Sequence, residues 1–214
     1  MPVFHISWYS KVLLIIRYKY CLVEFSAQYL KNDNMLASQT LWSIDQSKSR
    51  ISFKVDPLIF SAVEGTFRKF DAIIRTLDRD FSTIEIDLQI DASSISTGDV
   101  ERDDHLRSPD FFDVKRYPKI GFRSKKVKLN TNRSTHELIG ELTIKNVKRE
   151  IKASVQFNGV LTDATGKESA AFIITGSVNR KDWGLLWNES PETGGLMEGE
   201  LVKIHCEVML KNES

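Results

Sequence analysis

Between residues 84 and 91, Ile84, Ile86, Leu88 and Ile90 alternate without a break with Glu85, Asp87, Gln89 and Asp91. A β-strand sends successive side chains to opposite faces, so this segment has one face for a core and one for water. Wound as a helix, the same residues would spread charge around the whole circumference. The segment is therefore read as a half-buried strand. A sheet built from such strands must cover its apolar side by closing on itself or by pairing with a second sheet.

The same arithmetic recurs along the chain. Ile51, Phe53 and Val55 share one face, as do Ile120 and Phe122, Val127 and Leu129, and Leu138, Gly140, Leu142 and Ile144. Further runs are Ile151, Ala153, Val155 and Phe157; Phe172, Ile174, Gly176 and Val178; and Val202, Ile204, Cys206, Val208 and Leu210. With 41–45 and 62–76, this predicts about ten strand segments at antiparallel spacing. Between Phe67 and Phe70 the apolar parity changes, which predicts a β-bulge there. Gly65, Gly140 and Gly176 fall mid-strand on the apolar face, where a missing side chain permits bending or close approach. The alternation breaks between Ser93 and Val114, where 99–108 reads as a short helix stopped by Pro109. The expected fold class is all-β: one extended antiparallel barrel over residues 41–211 with one short helical insertion. Residues 212–214 form a tail.

Lys plus Arg number 30 and Asp plus Glu 29, a net charge of +1, which argues against binding nucleic acid through bulk charge. The longest apolar run near the start, Val12–Ile16, is closed by Arg17 and Lys19 and is too short to span a membrane. Residues 1–40 are read as an extension outside the barrel, and Met35 is a candidate start of the functional chain. A cytoplasmic location is expected, or a periplasmic one if the extension acts as an atypical export signal. Cys21 and Cys206 form no closely spaced pair, and Asp103, Asp104, His105, His136 and His205 lack metal-ligand spacing. No metal and no cofactor is therefore expected. On its strand His205 has the parity of Lys203 and Glu207 and should face solvent, whereas Cys206 belongs to the apolar face.

Several motifs in order resemble the YceI family of lipocalin-like, polyisoprenoid-binding barrels: 41–45 followed by 49–53, 63–67 with Phe70 and Asp71, and 94–98. The densest match is Arg102-Asp-Asp-His-Leu-Arg-Ser-Pro-Asp-Phe-Phe112, followed by 117–122, 140–144 and Asn179-Arg-Lys-Asp-Trp-Gly184. The resemblance implies a barrel whose apolar interior holds a long isoprenoid chain, such as a polyprenyl diphosphate or a quinone-like tail, without catalysis. This chain has Pro57 where the family often carries a histidine, so no role of that histidine transfers here.

The alternation alone leaves open whether the inward face packs solid or encloses space. The resemblance implies space, lined by Phe53, Val55, Phe67, Ile84, Ile86, Leu88 and Phe122 from the first half. From the second half it implies Leu142, Ile144, Val155, Phe157, Phe172, Ile174 and Ile204. Arg102, Asp103, His105, Arg180, Asp182 and Trp183 are read either as head-group contacts or as a structural latch. The loop 188–195 could gate the barrel. The competing readings are a hydrolase or isomerase using Asp103 or Asp182 as base and His105 as acid, and a filled barrel that serves as an interaction module. A homodimer is compatible with either.

Overall fold

The computed structural model describes residues 39–57, 62–77, 80–128, 135–186 and 198–213. Residues 1–38, Leu129, the loop 188–195 and Ser214 lie outside that set. The first strand already contains Gln39 and Thr40 and the last contains Asn212, so the barrel reaches past both boundaries expected from sequence.

Among the described residues, eleven strand segments make one antiparallel sheet. They are β1 (Gln39–Ile44), β2 (Arg50–Pro57), β3 (Val63–Phe67), β4 (Phe70–Leu77), β5 (Asp80–Asp91) and β6 (Ile95–Ser96), then β7 (Lys119–Lys128), β8 (Thr135–Ile144), β9 (Val147–Thr162), β10 (Glu168–Asn179) and β11 (Glu198–Asn212). The order is β1-β4-β5-β7-β8-β9-β10-β11-β2-β3-β6, and β1 also pairs with β11. β1 and β2 run in the same direction along β11, from Trp42↔Asn212 to Val55↔Val202. β3 continues into β4 and β5 into β6 in the same way. The eleven segments are thus eight long strands, three of them interrupted, and the sheet closes into an eight-stranded barrel.

Each interruption has a local cause. Between β1 and β2 the Asp45 carboxylate accepts hydrogen bonds from Ser47 N (3.1 Å) and Ser47 Oγ (2.6 Å), and it pairs with Lys211 at 3.1 Å. The Ser47 bonds and the Lys211 charge hold this carboxyl below its ordinary pKa. Asp45 N donates to Met209 O and Met209 N donates to Ser49 Oγ, so the turn stays fastened to β11. Between β3 and β4 the expected single-residue bulge is instead a two-residue break. Arg68 and Lys69 both face solvent there, opposite a 3-10 turn at Ala92–Ser94, and the apolar parity resets across it.

The expected helix is α1 (Val100–Arg107), capped by the Asp99 side chain accepting from Arg102 N at 3.0 Å. Among the described residues no helix is long and apolar enough to cross a membrane.

Two glycines set how aromatic rings lie against the wall. A Cβ at Gly65 would clash with the end of the Phe53 ring; one at Gly140 would strike the Phe122 ring and approach Arg123 O to 2.7 Å. At Gly176 the nearest atoms would lie at 3.4 to 3.6 Å, an ordinary contact. Replacing each with alanine should therefore cost stability in the order Gly140, Gly65, Gly176. At Gly140, where backbone must move, the loss should be about 1–3 kcal/mol, measured by urea denaturation. Equal losses at Gly140 and Gly176 would contradict the close packing described.

Candidate functional site

The apolar inner face does not pack solid. It encloses two lobes, one of about 220 Å³ toward the α1 end and one of about 340 Å³ toward the opposite, far end. Ile51, Ile86, Leu88, Leu138, Ile174 and Cys206 border both, so the lobes meet at a waist. The filled-barrel expectation is overturned by this space.

All the interior positions read from sequence line it. Phe53, Val55, Phe67, Phe122, Leu142, Ile144 and Ile204 border the helix-end lobe; Ile84, Val155, Phe157 and Phe172 border the far lobe; Ile86, Leu88 and Ile174 border both. Cys206 shares the waist with them, and burial pushes its thiol up to about 12. That keeps it protonated and unreactive at neutral pH. His205 is about half exposed on the outer face, as its parity required.

Large side chains gather at both ends, some of them from segments outside the alternating strands. At the helix end Leu106, Phe111, Phe112, Trp183 and Leu185 are buried in one cluster with Ile95 and Ile120. At the far end Phe81 contacts Trp42, Phe157 and Phe172 with ring centroids 5.3, 5.1 and 5.0 Å apart. His136 also lines the far lobe. Its parity with Leu138, Gly140 and Leu142 was a signal available in the sequence.

The charged positions separate into three groups. Asp103 is a latch: it accepts from Thr97 N (2.8 Å) and Thr97 Oγ1 (2.6 Å), and Arg107 lies 4.0 Å away. Burial opposes its ionisation, but the Thr97 bonds and the Arg107 and Arg102 charges outweigh that and lower its pKa. Arg107 donates to Ser93 O and Ile95 O, and so ties α1 to the turn before it. His105 is half-buried on α1 without bordering either lobe, Asp182 is exposed, and Trp183 is floor, with its Nε1 donating to Leu142 O.

Only Arg102 and Arg180 reach the helix-end lobe from the expected cluster of charges. Arg102 donates to Thr97 Oγ1 and Thr97 O, while Arg180, 7 % exposed, donates to Leu185 O at 2.6 Å and to Gly199 O at 3.2 Å. Among the described residues no carboxylate borders this lobe, and no group of three or more His, Cys, Asp and Glu is placed to hold a metal.

A YceI-like domain matches residues 42–210. The chain belongs to the YceI-like family. A UPF0312 protein of Staphylococcus aureus strain N315 is 37% identical over 168 residues, covering 78% of this chain and 95% of that protein. Among solved structures, the YCEI protein of Campylobacter jejuni is 30% identical, with a TM-score of 0.61 over 75% of this chain and 91% of its own. A polyisoprenoid-binding domain from Saccharophagus degradans shares the fold, with a TM-score of 0.55 at 15% identity over 80% of this chain and 98% of its own.

The YceI-like motif around Arg102 thus serves largely to pin α1 across one end of the barrel. Replacing Asp103 with asparagine keeps an acceptor for Thr97 but removes the charge facing Arg107 and Arg102. The variant should lose about 1–3 kcal/mol at neutral pH, measured by chemical denaturation. Because the native carboxyl is depressed, the gap should be full above the ordinary value of 3.8 and should close as pH falls through the lowered one. A gap that stays constant down to pH 2 would show that the charge contributes nothing.

Proposed function

We propose that this protein sequesters or carries one long isoprenoid lipid threaded through both lobes, without catalysing a reaction on it. The observation that carries the reading is the pair of adjoining, almost wholly apolar lobes inside a YceI-like barrel. The shared fold of a domain named for polyisoprenoid binding supports it. An empty apolar space of this size forfeits packing on the order of 10 kcal/mol, at roughly 24 cal/mol per Å³. A water-insoluble chain restores those contacts while burying its own surface at roughly 25 cal/mol per Å².

The helix-end lobe supplies the polarity. Arg102 and Arg180 border it with no bordering carboxylate among the described residues, which favours an anionic head such as a diphosphate there. A quinone-like head would gain less from these cations.

Purified protein extracted with organic solvent should release an isoprenoid, detected by mass spectrometry. Narrowing the waist with Ile174→Trp should abolish the release while the fold persists by circular dichroism. Undiminished lipid in that variant would sink the assignment.

For the head group, wild type should bind geranylgeranyl diphosphate about tenfold more tightly than geranylgeraniol, and Arg102→Gln should shrink that ratio to about threefold or less. A ratio untouched by the substitution would place the head elsewhere.

A further inference from the structure

The barrel has a weak seam in its side. β5 and β7 pair from Asp91↔Lys119 to Asp87↔Arg123, and their ladder ends there. Both strands continue, however: β5 stays paired to β4 through Glu85↔Arg75, and β7 stays paired to β8 through Lys128↔Glu137. The β7–β8 register shifts between Ser124 and Lys126, so an irregularity in β7 falls where its pairing with β5 stops.

Among the described residues the Ser124 side chain bridges the gap. The Ser124 hydroxyl accepts from Ile86 N at 2.8 Å and donates to Ile84 O at 3.4 Å. It thereby satisfies the two main-chain groups of β5 that would otherwise meet backbone of β7. Ile84, Ile86 and Val127, all half-buried, flank this position and line the far lobe. Clusters of large side chains gather at the two ends of the cavity, Leu106, Phe111, Phe112 and Trp183 at one and Trp42, Phe81, Phe157 and Phe172 at the other.

Resting on the lipid-carrier reading, we infer that the guest enters and leaves sideways, between β5 and β7, with Ser124 as the clasp of this lateral portal. Parting the strands there breaks the Ser124 bridge rather than a run of ladder pairs. The apolar side chains at the lips give an emerging hydrocarbon chain continuous contact from the far lobe outward.

The test is kinetic. N-phenyl-1-naphthylamine serves as a fluorescent guest, and its uptake and its release into phosphatidylcholine vesicles are followed by stopped flow. Ser124→Ala should raise both rates together by at least about threefold and leave the equilibrium affinity unchanged, because only the barrier is lowered. Ser49→Ala, which removes a comparable bridge to Met209 away from the seam, should change neither rate. In a chain with Cys21 and Cys206 replaced by alanine, Glu85→Cys and Lys125→Cys joined by a short bis-maleimide should slow both rates at least tenfold.

Rates unmoved by the cross-link would overturn the lateral portal while leaving the carrier reading intact, as would Ser124→Ala and Ser49→Ala acting alike. A wild-type protein that takes up no probe would overturn the carrier reading and the portal with it.

Discussion

Closure of the sheet through β11 is the interaction on which everything else depends. An amphipathic antiparallel sheet left open would expose an apolar face and two unpaired edges. β11 removes both problems, pairing along one side with β10 over most of its length and dividing its other side between β2 and β1. The division is made at Asp45–Ser49, where a short turn lets β1 continue where β2 leaves off while Met209 stays bonded to both sides of the turn. A chain without that turn would need one long strand curving through the whole barrel wall.

Once the wall is shut, what happens inside is decided by where the large side chains sit. Phe53 and Phe122 set the ends of their rings against Gly65 and Gly140, in space that a Cβ there would occupy. The remaining aromatics gather at the two ends, Phe111, Phe112 and Trp183 below and Phe81, Phe157 and Phe172 above. Mostly aliphatic side chains and Cys206 are left around the middle, too short to meet across it. The cavity is therefore a property of how bulk is distributed, since the interior is as apolar as a packed core would be.

Charge is used sparingly and mostly for fastening. Asp45, Asp103 and Arg107 each tie a turn or helix to neighbouring main chain, and cross-strand pairs such as Arg123–Asp87 and Lys148–Glu141 run over the solvent face. Exposed pairs of this kind contribute little individually. Their value here lies in keeping the outer face polar, so that the inward register has no alternative.

Much of this was legible in the sequence because a strand reports its own faces. The alternation from Ile84 to Asp91 and its repeats settled which side chains point inward, from Phe53 to Ile204, and period two leaves no freedom about the matter. The break in alternation ahead of Pro109 likewise located α1, and the family motifs the segment around Arg180. Sequence could not tell that eleven segments are eight strands, because the joins between β1 and β2 or β3 and β4 exist only through their shared partners.

Nor could it assign Asp103 to Thr97 and Arg102 to the cavity, since the two are adjacent in the chain and differ only in direction. Whether the inward face would meet in the middle, and where the wall would part beside Ser124, were decided by tertiary structure alone. Both depend on distances across the barrel and on ladder register between strands far apart in sequence, which no local pattern encodes.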